Sequence, residues 1–216
     1  MGTATDPLLR SGPRQVQGTE PEVLSEVLHD RVNLAVWQRP LPAPLQAFAR
    51  AALHSGRPLA ESRVLEVEQG RVWDLDRLLV AQRTLPGHGA FLADLAWLLS
   101  AFAWLLDARR IGLRVRSLQQ AMCPRFHVDQ VPLRLITTYA GLGSQWLPEG
   151  SIDRQRLGDP LAEPSAPELI ENSRTGDVLL AKGEKWLGNE GAGLIHRSPP
   201  QCVGQARLLV TLDWLD

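Results

Sequence analysis

The stretch CPRFHVDQVPLRLITTYAG, residues 123–141, decides how the rest of the chain is read. Its second half, Val131–Ala140, is β-branched and aromatic, the composition of a strand. Its first half reads as an extended segment, in which alternate side chains share a face. Cys123, Arg125, His127 and Asp129 would then project to one side. A His-x-Asp pair at a strand end lets an imidazole and a carboxylate converge on one metal ion. Outward from this stretch the same signal repeats. IGLRVRSL (111–118) alternates apolar and polar residues, and GDVLLAKG (176–183), GLIHRS (193–198) and RLLVTLDW (207–214) are short strand-like runs. Short strands separated by Gly/Pro turns predict a β-sandwich or barrel-like sheet pair in the C-terminal half, within an α+β chain.

The first half reads mainly as helices able to cover one sheet. Glu22–His29 and Pro44–His54 are short helices, the second with proline in its first turn and Gly56 beyond its end. Val32–Trp37 is a strand stopped before Pro40, and Val64–Val67 and Val72–Leu75 suggest two short ones. Phe91–Asp107 is an apolar helix after the turn Pro86–Gly89, with Trp97 and Trp104 expected in the core. Residues 1–22 lack periodicity and are expected to be a flexible tail. Residues 23–216 are expected to form one domain, a helical buttress (23–110) against a β core (111–216). The polar, proline-containing stretch Leu147–Thr175 is long enough to be disordered or functional, for example a lid.

With 23 basic and 24 acidic residues, the 216-residue chain lacks the basic excess of a general nucleic-acid or anionic-membrane binder. No apolar h-region follows the start. The most apolar stretch, Leu92–Leu106, is short for a membrane span and contains Asp94, so a buried helix is expected. Two cysteines, Cys123 and Cys202, are too few for a disulfide framework and fit a reducing compartment, which makes the cytoplasm the expected location. Nothing in the sequence identifies the substrate, small molecule or protein, or the oligomeric state.

The second informative histidine is His196, at the end of another strand-like run and 69 positions after His127. Two histidines and one carboxylate make a facial triad of the kind that holds non-heme Fe(II) with positions open. Arg207, 11 positions further on, could grip a carboxylate bidentately. The alternatives are a plain structural His–Asp hydrogen bond, or a zinc site in which Cys123 is a fourth ligand. A pocket that binds a small molecule in cupin fashion, without redox chemistry, is a third. Trp146 and Trp186 sit next to the site segments in sequence, with core or rim positions expected.

Two resemblances follow from these segments. CPRFHVDQVPLRLITTYAG, GDVLLAKGEKW, GLIHRSPP and RLLVTLDW resemble the bacterial domain of unknown function 1826 family, a resemblance that runs from about Val23 to Trp214 and brings no established activity. The order His-x-Asp, distal His, then Arg one strand later resembles the Fe(II)/2-oxoglutarate-dependent oxygenases, whose fold is a double-stranded β-helix or jelly roll. That resemblance implies His127, Asp129 and His196 as iron ligands and Arg207 as the anchor of the distal carboxylate of 2-oxoglutarate. Where those enzymes often carry Ser or Thr two residues after the Arg, this chain has Leu209, with Thr211 further along the strand. Thr211, Tyr139, Thr137 and Lys182 are further candidates for contacts to the co-substrate.

Overall fold

The alternation of residues 111–118 is realised in a long strand, and the elements around it follow the same logic. The computed structural model describes residues 12–68, 73–164, 166–200 and 205–215. In chain order it contains β1 (Arg14–Gly18), a 3₁₀ segment (Pro21–Leu28), β2 (Val32–Trp37), α1 (Ala43–His54), β3 (Ala60–Glu66) and α2 (His88–Leu106). There follow β4 (Arg110–Leu118), β5 (Leu133–Ala140), β6 (Gln145–Trp146), β7 (Glu171–Asn172), β8 (Val178–Lys182), β9 (His196–Arg197) and β10 (Arg207–Trp214).

Seven strands form a main sheet in the order β1-β2-β8-β5-β10-β4-β3, and three form a small sheet in the order β7-β6-β9. An antiparallel bridge between His127 and His196 adds the His127 segment beside β9. From β4 onward the chain thus makes eight passes. β4, β5, β8 and β10 lie in the main sheet, and the His127 segment, β6, β7 and β9 in the small one. By pass, the main sheet reads 1-8-3-6 and the small sheet 2-7-4-5. That is the connectivity of a jelly roll, the double-stranded β-helix. The α+β class and the jelly-roll core expected from the sequence are what the chain forms.

Strand alternation divides the main sheet between two cores. Leu135 and Tyr139 of β5, Val178 and Leu180 of β8, and Leu208, Val210 and Leu212 of β10 pack with Phe48 of α1 and with Phe91, Leu95, Leu98 and Phe102 of α2. On the opposite face Ile136, Leu179, Ala181 and Leu209 meet Trp146 and Leu194, which closes the space between the sheets. Each buried Leu, Ile, Val or Phe among them contributes about 1.5–3 kcal/mol by leaving water.

Four expectations are corrected. Residues 14–18, placed in a flexible tail, form β1, parallel to β2. Its sequence RQVQG has no apolar face; main-chain bonding to β2 makes it a strand, and Gln15 Nε2 donates to the Leu147 carbonyl at 2.8 Å. With β1, β2 and β3 in the main sheet, the buttress is not helical alone. The strand expected near Val64 runs instead from Ala60 to Glu66 along β4, and residues 73–75 form none. Trp97 and Trp104, expected in the core, lie on the outer side of α2, 44% and 85% exposed. The helix is apolar all round, and by length and composition it could cross a membrane, but the Phe91–Leu95–Phe102 side is the one laid on the sheet.

One buried ion pair ties α2 to that sheet. Arg39 holds Asp94 through two bonds of 2.6 and 2.9 Å, Tyr139 Oη also donates to Asp94, and Arg39 Nε donates to the Gly176 carbonyl at 2.9 Å. Removing the carboxylate strands a guanidinium whose side chain is 8% exposed. Asp94→Ala is therefore expected to lower unfolding free energy by about 3–5 kcal/mol, whereas Trp104→Ser should change it by less than about 0.5 kcal/mol. Urea denaturation measures both, and equal effects would refute this account of α2.

Candidate metal centre

His127 and His196 face each other through two main-chain hydrogen bonds, His127 N to His196 O and His196 N to His127 O, each 3.0 Å. This mutual pair brings their rings to 4.6 Å between centroids. In each imidazole Nδ1 lies against a main-chain carbonyl, that of Arg125 at 3.0 Å for His127 and that of Leu194 at 3.2 Å for His196. Donation from Nδ1–H to those carbonyls selects the tautomer with a lone pair on Nε2, the form that binds a metal. Both Nε2 atoms turn toward Asp129: His196 Nε2 is 3.3 Å from Oδ2 and His127 Nε2 is 3.7 Å from Oδ1. One ligand atom from each of the three residues lies within 4.8 Å of the others. Among the described residues this is the one group of three or more His, Cys, Asp or Glu so arranged.

Asp129 is oriented from behind. Arg134 of β5 donates through Nη1 to Asp129 Oδ1 at 2.7 Å and through Nε to Asp213 of β10 at 2.5 Å, and Asp213 also binds Arg114. Burial alone would raise the Asp129 carboxyl. The two imidazoles and Arg134 outweigh burial and hold it well below the usual carboxylate range, so it is an anion. In return Asp129 raises the pKa of His127. Oδ2 of Asp129 is buried and accepts no hydrogen bond, which leaves a lone pair facing the space between the Nε2 atoms. A divalent ion fits this donor set and would complete it.

Arg207, at the start of β10, is 1% exposed. Its Nη2 meets the hydroxyls of Thr138 and Ser144 at 3.3 and 3.4 Å, while Nε and Nη1 have no partner among the described residues. Burial without an acid pushes its pKa down to about 10. A cavity of about 230 Å³ opens beside the two histidines, with Ser144, Leu209 and Thr211 in its wall.

The family described as "Protein of unknown function (DUF1826)" matches residues 18–213. The chain belongs to this family. No curated protein sequence matches this DUF1826 chain. Solved structures that resemble it include a Pseudomonas putida prolyl-4-hydroxylase, 11% identical, with 89% of this chain and 96% of that chain covered and a TM-score of 0.46. Another is a rice dioxygenase for auxin oxidation, 17% identical, with 83% and 73% covered and a TM-score of 0.45.

The DUF1826 fold gathers some of the candidates expected from sequence and separates others. His127, Asp129 and His196 meet as described. Arg207, Leu209 and Thr211 share one face of β10, but Thr211 stands four residues from Arg207, about 13 Å along the strand. Tyr139 is a correction: it points to the helices, where Asp94 takes its hydroxyl. Thr137 falls on that same face by alternation. Lys182 is also turned away, donating to the His29 carbonyl at 2.9 Å over the Trp186 ring. The four-ligand zinc set does not form, because Cys123 is exposed and stands outside the converging group. The extended alternation expected from Cys123 to Asp129 is replaced by bends around the single bridge at His127. Cys202 lies outside the described residues. Trp146 is core, and Trp186 packs on Trp214.

The Leu147–Thr175 stretch carries two 3₁₀ turns and β7. Its Leu147 and Ile152 pack on Phe126 and Ile195, the chain neighbours of the two histidines. Sequence reasoning missed Thr138 and Ser144, the hydroxyls at Arg207. Thr138 is the register partner of Leu209, so the hydroxyl absent from β10 comes from the adjoining strand.

Substitution of His127, Asp129 or His196 by Ala is expected to abolish stoichiometric binding of Fe(II) or Mn(II), read by anaerobic calorimetric titration. Arg134→Gln should keep the site but weaken it about 10–100-fold. Full stoichiometry in Asp129→Ala would sink the assignment.

Proposed function

We propose that this protein is an Fe(II)- and 2-oxoglutarate-dependent oxygenase acting on a substrate the fold alone does not name. One observation carries the reading. A three-donor site that leaves coordination positions open shares its jelly roll with Arg207, a buried guanidinium that has no acid partner. Bound iron with 2-oxoglutarate and oxygen supplies oxidative decarboxylation of the co-substrate coupled to oxidation of a substrate C–H bond.

The chain's own residues do the rest. The carbonyls of Arg125 and Leu194 hold both imidazoles in the ligating tautomer, and Arg134 keeps the Asp129 carboxylate aimed and ionised. Arg207 receives the far carboxylate of 2-oxoglutarate on nitrogens that now lack acceptors, and Thr138 and Ser144 fix the guanidinium plane. Leu209 and Ile136 supply the apolar part of the cavity wall.

An anaerobic titration with Fe(II) and then 2-oxoglutarate tests the proposal. The expected result is the weak visible charge-transfer band of the chelated co-substrate, lost in Arg207→Met. The same variant should be as stable as the parent or more so when no 2-oxoglutarate is present, because it removes a buried cation without a counter-ion. With metal present, 2-oxoglutarate should raise Tm in the parent and leave Arg207→Met unmoved. A variant that retains the band would overturn the role of Arg207, and a parent with no band would overturn the function.

A further inference from the structure

Among the described residues, the wall of the cavity beside the metal ligands contains four guanidiniums, from Arg114, Arg116, Arg134 and Arg197, and no carboxylate. Three of the four have acid partners behind the wall. Arg134 is shared by Asp129 and Asp213, Arg114 pairs with Asp213, and Arg197 reaches Glu163 at 3.5 Å and the Gln145 side chain at 2.8 Å. Arg116 has none. Its Nη1 donates only to the main-chain carbonyls of Glu61 and Val115, and the Glu61 carboxylate is bound to Arg63 at 3.1 Å.

Register fixes where Arg116 stands. On β4 it lies opposite Leu209, and Arg114 lies opposite Thr211, so both arginines share the cavity face of the main sheet with Arg207. Arg207 sits at one end of that face, behind Ser144, and Arg116 and Arg114 stand one strand over and further along. A divalent ion and a doubly charged co-substrate bring equal and opposite charge. Filling the proposed site therefore leaves Arg116 with no acid of its own. A guanidinium in a partly enclosed cavity, with a second beside it, concentrates anions and presents a planar fork to them.

We infer that the substrate oxidised at this centre carries an oxyanion, a carboxylate or a phosphate ester, gripped by Arg116 with Arg114 beside it, while Arg207 keeps 2-oxoglutarate. This rests on the oxygenase reading and names the class of molecule it acts on. Arg116 is then a specificity-determining residue, remote from the reacting bond and responsible for placing it.

The test uses the full chain loaded anaerobically with Mn(II), with and without saturating 2-oxoglutarate. Three probes are followed by fluorine NMR: trifluorobutyrate, trifluoroethyl phosphate and, as neutral control, trifluorobutyramide. Relaxation enhancement by Mn(II) reports binding close to the centre. At least one anion should be enhanced and the amide should not, in the presence of 2-oxoglutarate as in its absence. The tighter anion identifies the headgroup. Arg116→Gln should weaken that anion about tenfold, the worth of a charge-assisted bond. It should leave Mn(II) and 2-oxoglutarate affinities within about twofold, which also shows that the variant is folded. Arg116→Lys, which keeps the charge and a donor for the Glu61 carbonyl, should weaken it less and decides the matter if the Gln variant does not fold. Equal binding of amide and acid, an unchanged affinity in both variants, or displacement of the anion by 2-oxoglutarate would each overturn the inference. A parent that binds 2-oxoglutarate but neither anion overturns it alone. A parent that binds no 2-oxoglutarate, read from water-proton relaxation of Mn(II), overturns the oxygenase reading and this inference together.

Discussion

Asp129 is an anion held largely away from water, and such a charge persists only where a cation and polar partners meet it. Three groups do so here, the Arg134 guanidinium and the two imidazoles, and each arrives from a different pass of the jelly roll. His127 stands on the second pass with the carboxylate just behind it, Arg134 comes from the third and His196 from the seventh, while Asp213 on the eighth keeps Arg134 in line. None of these groups neighbours all the others in sequence. Closing the two sheets and neutralising the carboxylate are one event, so the metal-ligating geometry comes with the fold.

Arg207 presents the opposite situation within the same sandwich. Asp129 is met by a guanidinium and two imidazoles, whereas among the described residues Arg207 has two hydroxyls and no acid. The contrast separates what the fold needs from what it stores for a ligand. A buried ion network that is complete supports the folded state, and a buried cation left incomplete detracts from it until an anion enters. Stability and binding are thereby opposed at one residue, a trade commonly found where a site must accept a charged molecule.

Much of this was legible in the sequence, for reasons that can be assigned. β4, β8 and β10 are legible as apolar alternation or β-branched runs, and His127, Asp129, His196 and Arg207 stand out through their strand context together with the resemblance of their order to that of the Fe(II)/2-oxoglutarate-dependent oxygenases. The failures have physical causes as well. β6 and β7 are two residues each and β1 carries one apolar residue, too little for any period to show. Tyr139 was misplaced because neighbours on a strand lie on opposite faces, and it is Thr138 that turns to Arg207. Trp97 and Trp104 were assigned to the core because α2 is apolar on every side, and composition cannot say which side the sheet will take. Thr138 and Ser144 are ordinary hydroxyl residues in ordinary sequence, and only the register beside β10 gives them a role.

The mutual main-chain bridge between His127 and His196 has a consequence for how this scaffold accommodates change. The separation of the two imidazoles is set by backbone atoms of two facing residues and owes little to how neighbouring side chains are shaped. The segment between the fourth and fifth passes hangs from the opposite border of the small sheet. It carries Glu163, the acid that pairs with Arg197 of the cavity wall. Rewriting it there would change the charge the cavity presents while the main-chain bridge between the histidines stays, so such a chain can acquire new preferences without giving up its metal chemistry.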